Sequence, residues 1–406
     1  MRSTKLFVAA VAALSLVAAA CGSDDNSSTT TVPATEAPTT DAPTTDAPTT
    51  DAPTTDAPTT DAPVATDAPV ATDAPTTDAP DALALDFNGD GKVVFGIAAA
   101  GPANDGAYYQ SVVDAAKELS TENGFEEPIV VDNIQAADAA TLMGDLAQQD
   151  VDVIIVGASE IAEPLPALID QYPDIYWYCN CGAGFPENPG LAQSTDNGAA
   201  IAYTAGFATG LLLKAKGGES TTFIGCCDLG FEKQSYLAYE VGLQAVDPSY
   251  TMTYVQTGDF PFDFDNTANA TAALQTAIDE GSDAVYPYLG GAHRPVVQAA
   301  NEAGLIVMSA GSSKVCGPDE ELKYDIAVKF DGGDYVRAVM AGIIDGTFKE
   351  GDIKTFKVGV DPEPGAVICD PTPEQQTAMD DVYAQIASGD LDAMLGEISG
   401  KAFSEG

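Results

Sequence analysis

Four segments of this sequence combine small residues with side chains that can donate, accept or stack, which are the groups that hold a small molecule. They cover residues 101–111, 157–160, 226–228 and 289–293. Small residues let a ligand reach backbone N–H groups, and polar or aromatic neighbours add specific contacts. The residues that we expect at a ligand site are Asn104, Asp105, Tyr108, Tyr109, Gly157, Asp228, Gly290 and Gly291.

Several of these residues also have a purely structural explanation. Asp105 is equally suited to capping the helix that follows it, since an acid satisfies the free N–H groups of a helix start. Tyr108 and Tyr109 open the same helix, where aromatic rings often serve only packing. Phe260 begins an alternating run of phenylalanines that offers a further ring for stacking, although such spacing also suits a core.

Catalytic chemistry has little support in the sequence. It contains no Gly-x-Ser-x-Gly elbow, no phosphate-binding loop and no dinucleotide fingerprint. His293 is the only histidine, so it has no partner for a relay. We therefore expect neither an enzyme nor a cofactor, although a secreted hydrolase that uses paired carboxylates stays open as an alternative.

Six cysteines follow Cys21, and they are Cys179, Cys181, Cys226, Cys227, Cys316 and Cys369. Their spacing does not match zinc ligands, so we expect no metal site. An even number of cysteines outside the cytoplasm favours disulfides, and the sequence leaves their pairing open.

The elements that must position these residues alternate between short β-branched runs and longer amphipathic stretches, as is typical of βαβ units. Strands are predicted at 93–98, 129–132, 153–156, 175–178, 221–225, 252–256, 284–288, 306–309, 326–329 and 356–360. Helices are predicted at 107–123, 137–149, 162–171, 199–215, 232–245, 267–280, 295–303, 333–345 and 373–388. Two sheets fit this series better than one, so we predict an α/β fold with two doubly wound parallel-sheet lobes. Ligands bind at the carboxyl ends of such strands, where the four segments fall.

The charge of the chain excludes one class of partner. There are 62 Asp and Glu against 16 Lys and Arg, which gives a formal net charge of -46. A nucleic acid would be repelled by such a protein. Strong acidity also keeps a secreted protein soluble, and we expect a monomer.

The beginning of the chain predicts export. Arg2 and Lys5 precede an apolar run that is too short to span a bilayer comfortably, so residues 1–21 are predicted to be a signal peptide. The run ends at Cys21 in small residues that resemble a bacterial lipobox, and Cys21 is expected to carry a lipid that anchors the protein to the cell membrane. A plain signal peptide is the alternative. Residues 22–83 are mostly Thr, Ala, Pro, Asp and Ser, with Asp-Ala-Pro-Thr-Thr recurring from Asp41, and they have too few large apolar side chains to form a core, which predicts a disordered tether.

A series of motifs occurs in order between about Val93 and Phe356. They are 104–111 (NDGAYYQS), 152–157 (DVIIVG), 172–175 (YPDI), 223–225 (FIG) with Asp228, Gly242, 258–260 (GDF) and 290–291 (GG). This order resembles the basic membrane protein family of ABC-transporter substrate-binding lipoproteins, the group that contains the purine nucleoside receptors. The resemblance covers most of the part of the chain that is expected to fold.

The resemblance implies a type I periplasmic-binding-protein fold, a Venus flytrap whose two hinged lobes close on a solute and deliver it to an ABC transporter permease. The chain would cross between the lobes more than once. We expect the first lobe at 84–195 and the second at 196–305, a return to the first lobe at 306–333, and completion of the second lobe by 334–406.

The resemblance also implies contacts with a solute. The family holds a purine base between two aromatic rings and anchors a ribose through an aspartate and a lysine. Tyr108 matches the position of the first ring, and Lys329 matches the lysine. The family's aspartate is Ala310 here, which argues against a nucleoside and for another small polar metabolite, unless neighbouring serines substitute. A lipoprotein that senses a metabolite for a membrane kinase would use the same fold and is the other alternative.

Overall fold

The described part of the computed structural model covers residues 85–182, 185–258, 263–318 and 321–404 and contains twelve strands, ten α-helices and two single-turn 3-10 helices at Ala136–Asp138 and Ser159–Ile161. The strands are β1 Phe95–Ala98, β2 Ile129–Val131, β3 Val153–Val156, β4 Tyr176–Asn180, β5 Leu191–Asp196, β6 Ser220–Gly225, β7 Thr251–Gln256, β8 Ala284–Pro287, β9 Ile306–Val307, β10 Ile326–Lys329, β11 Ile353–Phe356 and β12 Gly365–Ile368. The helices are α1 Tyr108–Asn123, α2 Ala139–Ala147, α3 Leu165–Gln171, α4 Gly198–Lys216, α5 Gly230–Val246, α6 Thr267–Asp279, α7 His293–Ala303, α8 Gly332–Ile344, α9 Pro373–Ser388 and α10 Asp392–Phe403. The signal peptide, Cys21, the tether and Phe260 lie outside the described residues.

The first sheet has six parallel strands in the order β11-β5-β4-β3-β1-β2. All four residues of β1 and of β3 are buried, which suits central strands covered on both faces. Helices α1 and α8 pack together on one face, where Val112 and Val336 join the core. Helices α2 and α3 cover the other face around Leu146 and Trp177. We call this sheet and its four helices the first lobe.

The second sheet has four parallel strands in the order β7-β6-β8-β9, and β10 pairs with β12 in an antiparallel ribbon beside it. Helices α4 and α5 pack on one face around Phe223 and Tyr239, together with α9 and α10. Helices α6 and α7 cover the other face around Val285 and Val296. These elements form the second lobe. Parallel sheets with helices on both faces confirm the predicted α/β class.

Helix α4 shows how local sequence determines the second lobe. Asn197 caps its start by accepting a hydrogen bond from the N–H of Ala200, and Gly217 ends it with a left-handed φ of 78°. Within the described residues it is the helix that is long and apolar enough to cross a membrane, but 72% of its apolar window is buried inside the protein. Glycines at 206 and 242 let α4 and α5 approach until the backbones touch.

The crossings between the lobes differ from the predicted boundaries. We expected residues 306–333 to return to the first lobe, but β9 pairs with β8 and β10 pairs with β12 in the second lobe. The return is made by α8, which packs on α1, and by β11, which pairs with β5. The chain then re-enters the second lobe at β12, before α9 and α10. The physical reason is that a strand after a crossover helix extends the sheet it has just left, as β9 does after α7.

Candidate functional site

A cavity of about 450 Å³ lies where the carboxyl ends of the strands of both sheets face each other. The first lobe contributes residues that follow β1 and β3 or end β4 and β5, and the second lobe contributes residues at or after β6, β8 and β10. This volume suits a ligand of small-metabolite size. Aromatic side chains dominate the wall, and they are Tyr108, Tyr109, Phe185, Phe231, Phe264, Tyr286, Tyr288, Phe330, Tyr335 and Phe403.

Tyr108 is held rigidly at the wall of the first lobe. Its hydroxyl donates to the carbonyl oxygen of Gly157 at 2.7 Å and accepts from Nδ2 of Asn180 at 2.6 Å. The Oδ1 atom of Asn180 in turn accepts from the hydroxyl of Ser194 at 3.0 Å. Burial raises the pKa of the Tyr108 hydroxyl, so it stays protonated at neutral pH. The ring is therefore fixed in one orientation before a ligand arrives.

Two carboxylates of the first lobe each receive a tyrosine hydroxyl. Tyr109 donates to Oε1 of Glu160 at 3.2 Å, and Tyr335 donates to Oδ2 of Asp196 at 2.8 Å. Burial is the main cause that raises the pKa of both carboxyls, and the tyrosine hydrogen bonds oppose it. Both carboxyls line the cavity. The raised pKa favours the protonated form of each carboxyl, and a positive charge placed beside them would favour the ionised form instead.

Asp105 also lines the cavity, but its carboxylate faces the start of α1. It accepts hydrogen bonds from the backbone N–H groups of Ala107 at 2.8 Å, Gln110 at 3.0 Å and Tyr109 at 3.2 Å. Burial raises the pKa of this carboxyl, while the three N–H groups act against that rise. Asp105 therefore positions Tyr108 and Tyr109 by capping the helix that carries them.

Aromatic rings continue from the first lobe into the second. The centroid of Phe330 lies 6.4 Å from that of Tyr108 and 5.5 Å from that of Tyr288. Tyr288 is followed by Phe231 at 6.5 Å, and Phe231 stacks on Phe264 at 6.3 Å. This row of rings, from Tyr108 through Phe330, Tyr288 and Phe231 to Phe264, offers flat apolar faces to a ligand.

Comparison with known families decides the class of the protein. The family described as Bmp, ABC transporter substrate-binding protein PnrA-like, matches residues 92–357, which is more than half of the chain. The chain belongs to the Bmp family. It is thus a substrate-binding protein of the ABC transporter type, and the predicted resemblance is confirmed.

Solved structures share the fold of this Bmp protein. An ABC transporter solute-binding protein from Conexibacter woesei has a TM-score of 0.57 at 21% identity, over 74% of this chain and 97% of its own. One from Aeropyrum pernix has a TM-score of 0.57 at 16% identity, over 77% and 92%. A sugar ABC transporter protein from Yersinia enterocolitica has a TM-score of 0.50 at 14% identity, over 78% and 99%. The type I periplasmic-binding-protein fold is confirmed, whereas no curated protein matches the sequence.

The structure brings only some of the predicted site residues to the cavity of this Bmp protein. Asp105, Tyr108, Tyr109 and Gly290 line it. Gly157 supports the ring of Tyr108 through its carbonyl group and does not itself line the wall. Asn104 and Gly291 do not line it either, and their neighbours on the same loops do. Phe260 lies outside the described residues.

Lys329 and Asp228 are placed away from the cavity lining. The Nζ atom of Lys329 donates to the carbonyl oxygen of Pro362 at 2.6 Å, and burial lowers the pKa of its amine. The Oδ1 atom of Asp228 accepts from the hydroxyl of Tyr236 at 3.0 Å. Ala310, for which the resemblance implied an aspartate in the family, does line the cavity.

Sequence reasoning missed several lining residues. Glu160 belongs to the segment 157–160 that the sequence analysis selected without being among the expected ligand residues, and Tyr288 ends the predicted strand 284–288, so the position of each was a usable signal. Asn180 and Asp196 end β4 and β5, and β5 was not predicted at all. Phe330 was not predicted because the resemblance implied a ligand contact for the preceding residue, Lys329.

The cysteines are brought together in three pairs, Cys179 with Cys181, Cys226 with Cys227, and Cys316 with Cys369. Cys181 lines the cavity beside Asn180, and Cys226 follows the end of β6. Cys369 follows β12, so its partner Cys316 is tied to the antiparallel ribbon of the second lobe.

Proposed function

We propose that this Bmp protein captures a small polar solute with a flat or apolar body between its lobes, outside the cytoplasm, and delivers it to an ABC importer. The supporting observation is the cavity of about 450 Å³ at the carboxyl ends of the strands of both sheets. A ligand there contacts both lobes at once, which is what a solute receptor needs in order to close on its cargo. We include export and lipidation of Cys21 in this proposal.

The row of rings supports a solute with a flat or apolar body. Tyr108 of the first lobe and Phe330 of the second lobe both line the cavity, and stacking on an aromatic face contributes on the order of 1 to 3 kcal/mol per base. A ribose has less support, because the amine of Lys329 is bound to the carbonyl of Pro362 and Ala310 provides no carboxylate. A purine nucleoside is therefore one candidate among flat solutes and not the favoured one.

The proposal is tested by thermal unfolding of the mature protein in the presence of nucleosides, free bases, aromatic amines, amino acids and sugars. A ligand at 100 times its dissociation constant adds about 2.7 kcal/mol to the free energy of unfolding. We expect a solute with a ring or another flat body to raise the melting temperature. Turnover of any of these compounds would contradict a receptor and favour a hydrolase.

A matched pair of variants locates the ligand. Tyr108→Ala removes a ring from the cavity wall and should abolish the stabilisation, whereas Lys329→Met changes a residue outside the lining and should leave it intact. If Lys329→Met abolished the stabilisation and Tyr108→Ala did not, the ligand would lie elsewhere than in this cavity.

A further inference from the structure

The charged side chains that line the cavity are all acidic. They are Asp105, Glu160 and Asp196, and within the described residues no lysine, arginine or histidine lines the wall. The stretches between Leu85 and the end of the chain that the structure does not describe contain no basic residue either. The only charge that the side chains of this wall can carry is therefore negative, and no basic side chain at the wall balances it.

Two of these carboxylates are left without a cationic partner. Glu160 accepts from the hydroxyl of Tyr109 and from its own backbone N–H, and Asp196 accepts from the hydroxyl of Tyr335. Among the described residues neither carboxylate is in an ion pair. Both residues are half-buried, and enclosing a carboxylate fully without a charge partner or several N–H donors is unfavourable. Asp105 differs because three backbone N–H groups at the start of α1 compensate it.

The second lobe supplies uncharged faces opposite these carboxylates. Tyr288, Phe330 and Phe231 line the cavity there, and the face of an aromatic ring carries negative partial charge that attracts cations. An anion would face carboxylates with no basic side chain to receive it. A neutral solute would leave Glu160 and Asp196 without a positive partner when the lobes enclose it.

We propose that the solute is an organic cation, an ammonium or other positively charged group on a flat or apolar body, with its charge near Glu160 and Asp196 and its body against the aromatic rings of the second lobe. This inference rests on the proposed function, because it names the charge of the solute that the same cavity would capture. The formal net charge of -46 would further raise the local concentration of such a cation.

The test compares probes that share one shape and differ in charge. Choline is paired with 3,3-dimethylbutan-1-ol, and 1-methyladenosine, which is cationic at neutral pH, is paired with adenosine. Isothermal titration calorimetry on the mature protein should show the cation of at least one pair binding about tenfold or more tightly than its neutral partner. The preference should weaken as salt is added.

Two isosteric variants assign the effect to the carboxylates. Glu160→Gln and Asp196→Asn keep the oxygen that accepts the tyrosine hydroxyl and remove only the charge, so cation affinity should fall about fivefold or more while neutral probes are unaffected. Glu163→Gln, on the exposed part of the same loop as Glu160, is the matched control. It should change neither the affinity for cations nor the affinity for neutral probes.

The outcomes separate the two proposals. If a neutral probe binds in the cavity as tightly as its cationic partner, the inference is overturned and the proposed receptor function stands. If Glu163→Gln weakens cations as much as Glu160→Gln does, the effect is general electrostatics and the inference is likewise overturned. If neither these probes nor any solute of the wider panel binds the folded protein, both proposals fall.

Discussion

Replacing Gly206 by alanine should destabilise the second lobe. A methyl group at Gly206 on α4 would overlap the backbone carbonyl of Tyr239 on α5, and one at Gly242 on α5 would overlap the carbonyl of Tyr203. Overpacking of this kind costs about 1 to 3 kcal/mol, and the upper end applies because backbone cannot rotate away as a side chain can. Alanine recovers up to about 1 kcal/mol of helix propensity. The expected net loss for Gly206→Ala is therefore about 2 kcal/mol.

Gly206→Ala should also alter the shape of the cavity. Ile201 and Ala202 of α4 and Phe231 and Gln234 of α5 all line it, so pushing the two helices apart moves two parts of the wall. We expect Gly206→Ala to weaken solute binding as well as to lower stability.

The loss in the free energy of unfolding is measured by urea denaturation, with circular dichroism as the signal. Gly396→Ala is the matched control. Gly396 lies on the exposed side of α10 with no atom within 4 Å of a Cβ built there, so alanine should stabilise by about 1 kcal/mol. If Gly206→Ala were as stable as the wild type or gained as much as Gly396→Ala, the close packing of α4 on α5 would be refuted.

Three further predictions follow from single residues. Tyr108→Phe should keep the stacking face and most of the affinity that calorimetry detects, because only the hydrogen bonds to Gly157 and Asn180 are lost. His293 is buried, and burial lowers the pKa of its imidazole to about 4. As the pH falls, His293 takes up a proton in the unfolded chain at a higher pH than in the folded protein. The free energy of unfolding that is present above about pH 6.5 should therefore fall as the pH drops toward 4. That slope should be shallower in His293→Gln, and equal slopes would contradict it. Cys21→Ser should release the exported protein from the membrane fraction into the medium, as immunoblotting of the fractions would show.

Much of the fold could be predicted because its central strands are apolar over their whole length. Strands such as β3, Val153–Val156, are buried on both faces, and their continuous apolar sequence indicates a central strand of a parallel sheet. Strand β5, Leu191–Asp196, was missed because its sequence LAQSTD is mostly polar, and it is a strand only because β4 and β11 flank it. Helix α10, which contains two glycines, was missed for the same kind of reason, since packing on α5 supports it.

The crossings could not be predicted because they depend on which sheet accepts a strand. Strand β11 was predicted at 356–360 but occupies Ile353–Phe356, and Val360 is 63% exposed. Its pairing with β5 requires a strand that the sequence pattern did not indicate. Lobe boundaries thus depend on pairings far apart in the chain, and local periodicity carries no information about them.

At the site, too, sequence reasoning could not predict which of two adjacent residues lines the cavity. Successive side chains of an extended segment point to opposite sides, so Lys329 and Phe330 cannot both face the cavity. The resemblance favoured Lys329, but the structure turns its amine to the carbonyl of Pro362 and places the ring of Phe330 at the wall. The cavity wall therefore carries an aromatic ring at a place where the resemblance predicted a positive charge. Ala310 and Phe330 line the cavity where the resemblance implied an aspartate and a lysine for a ribose, while Glu160 and Asp196 stay without a positive partner among the described residues. A cationic solute is what would supply that partner.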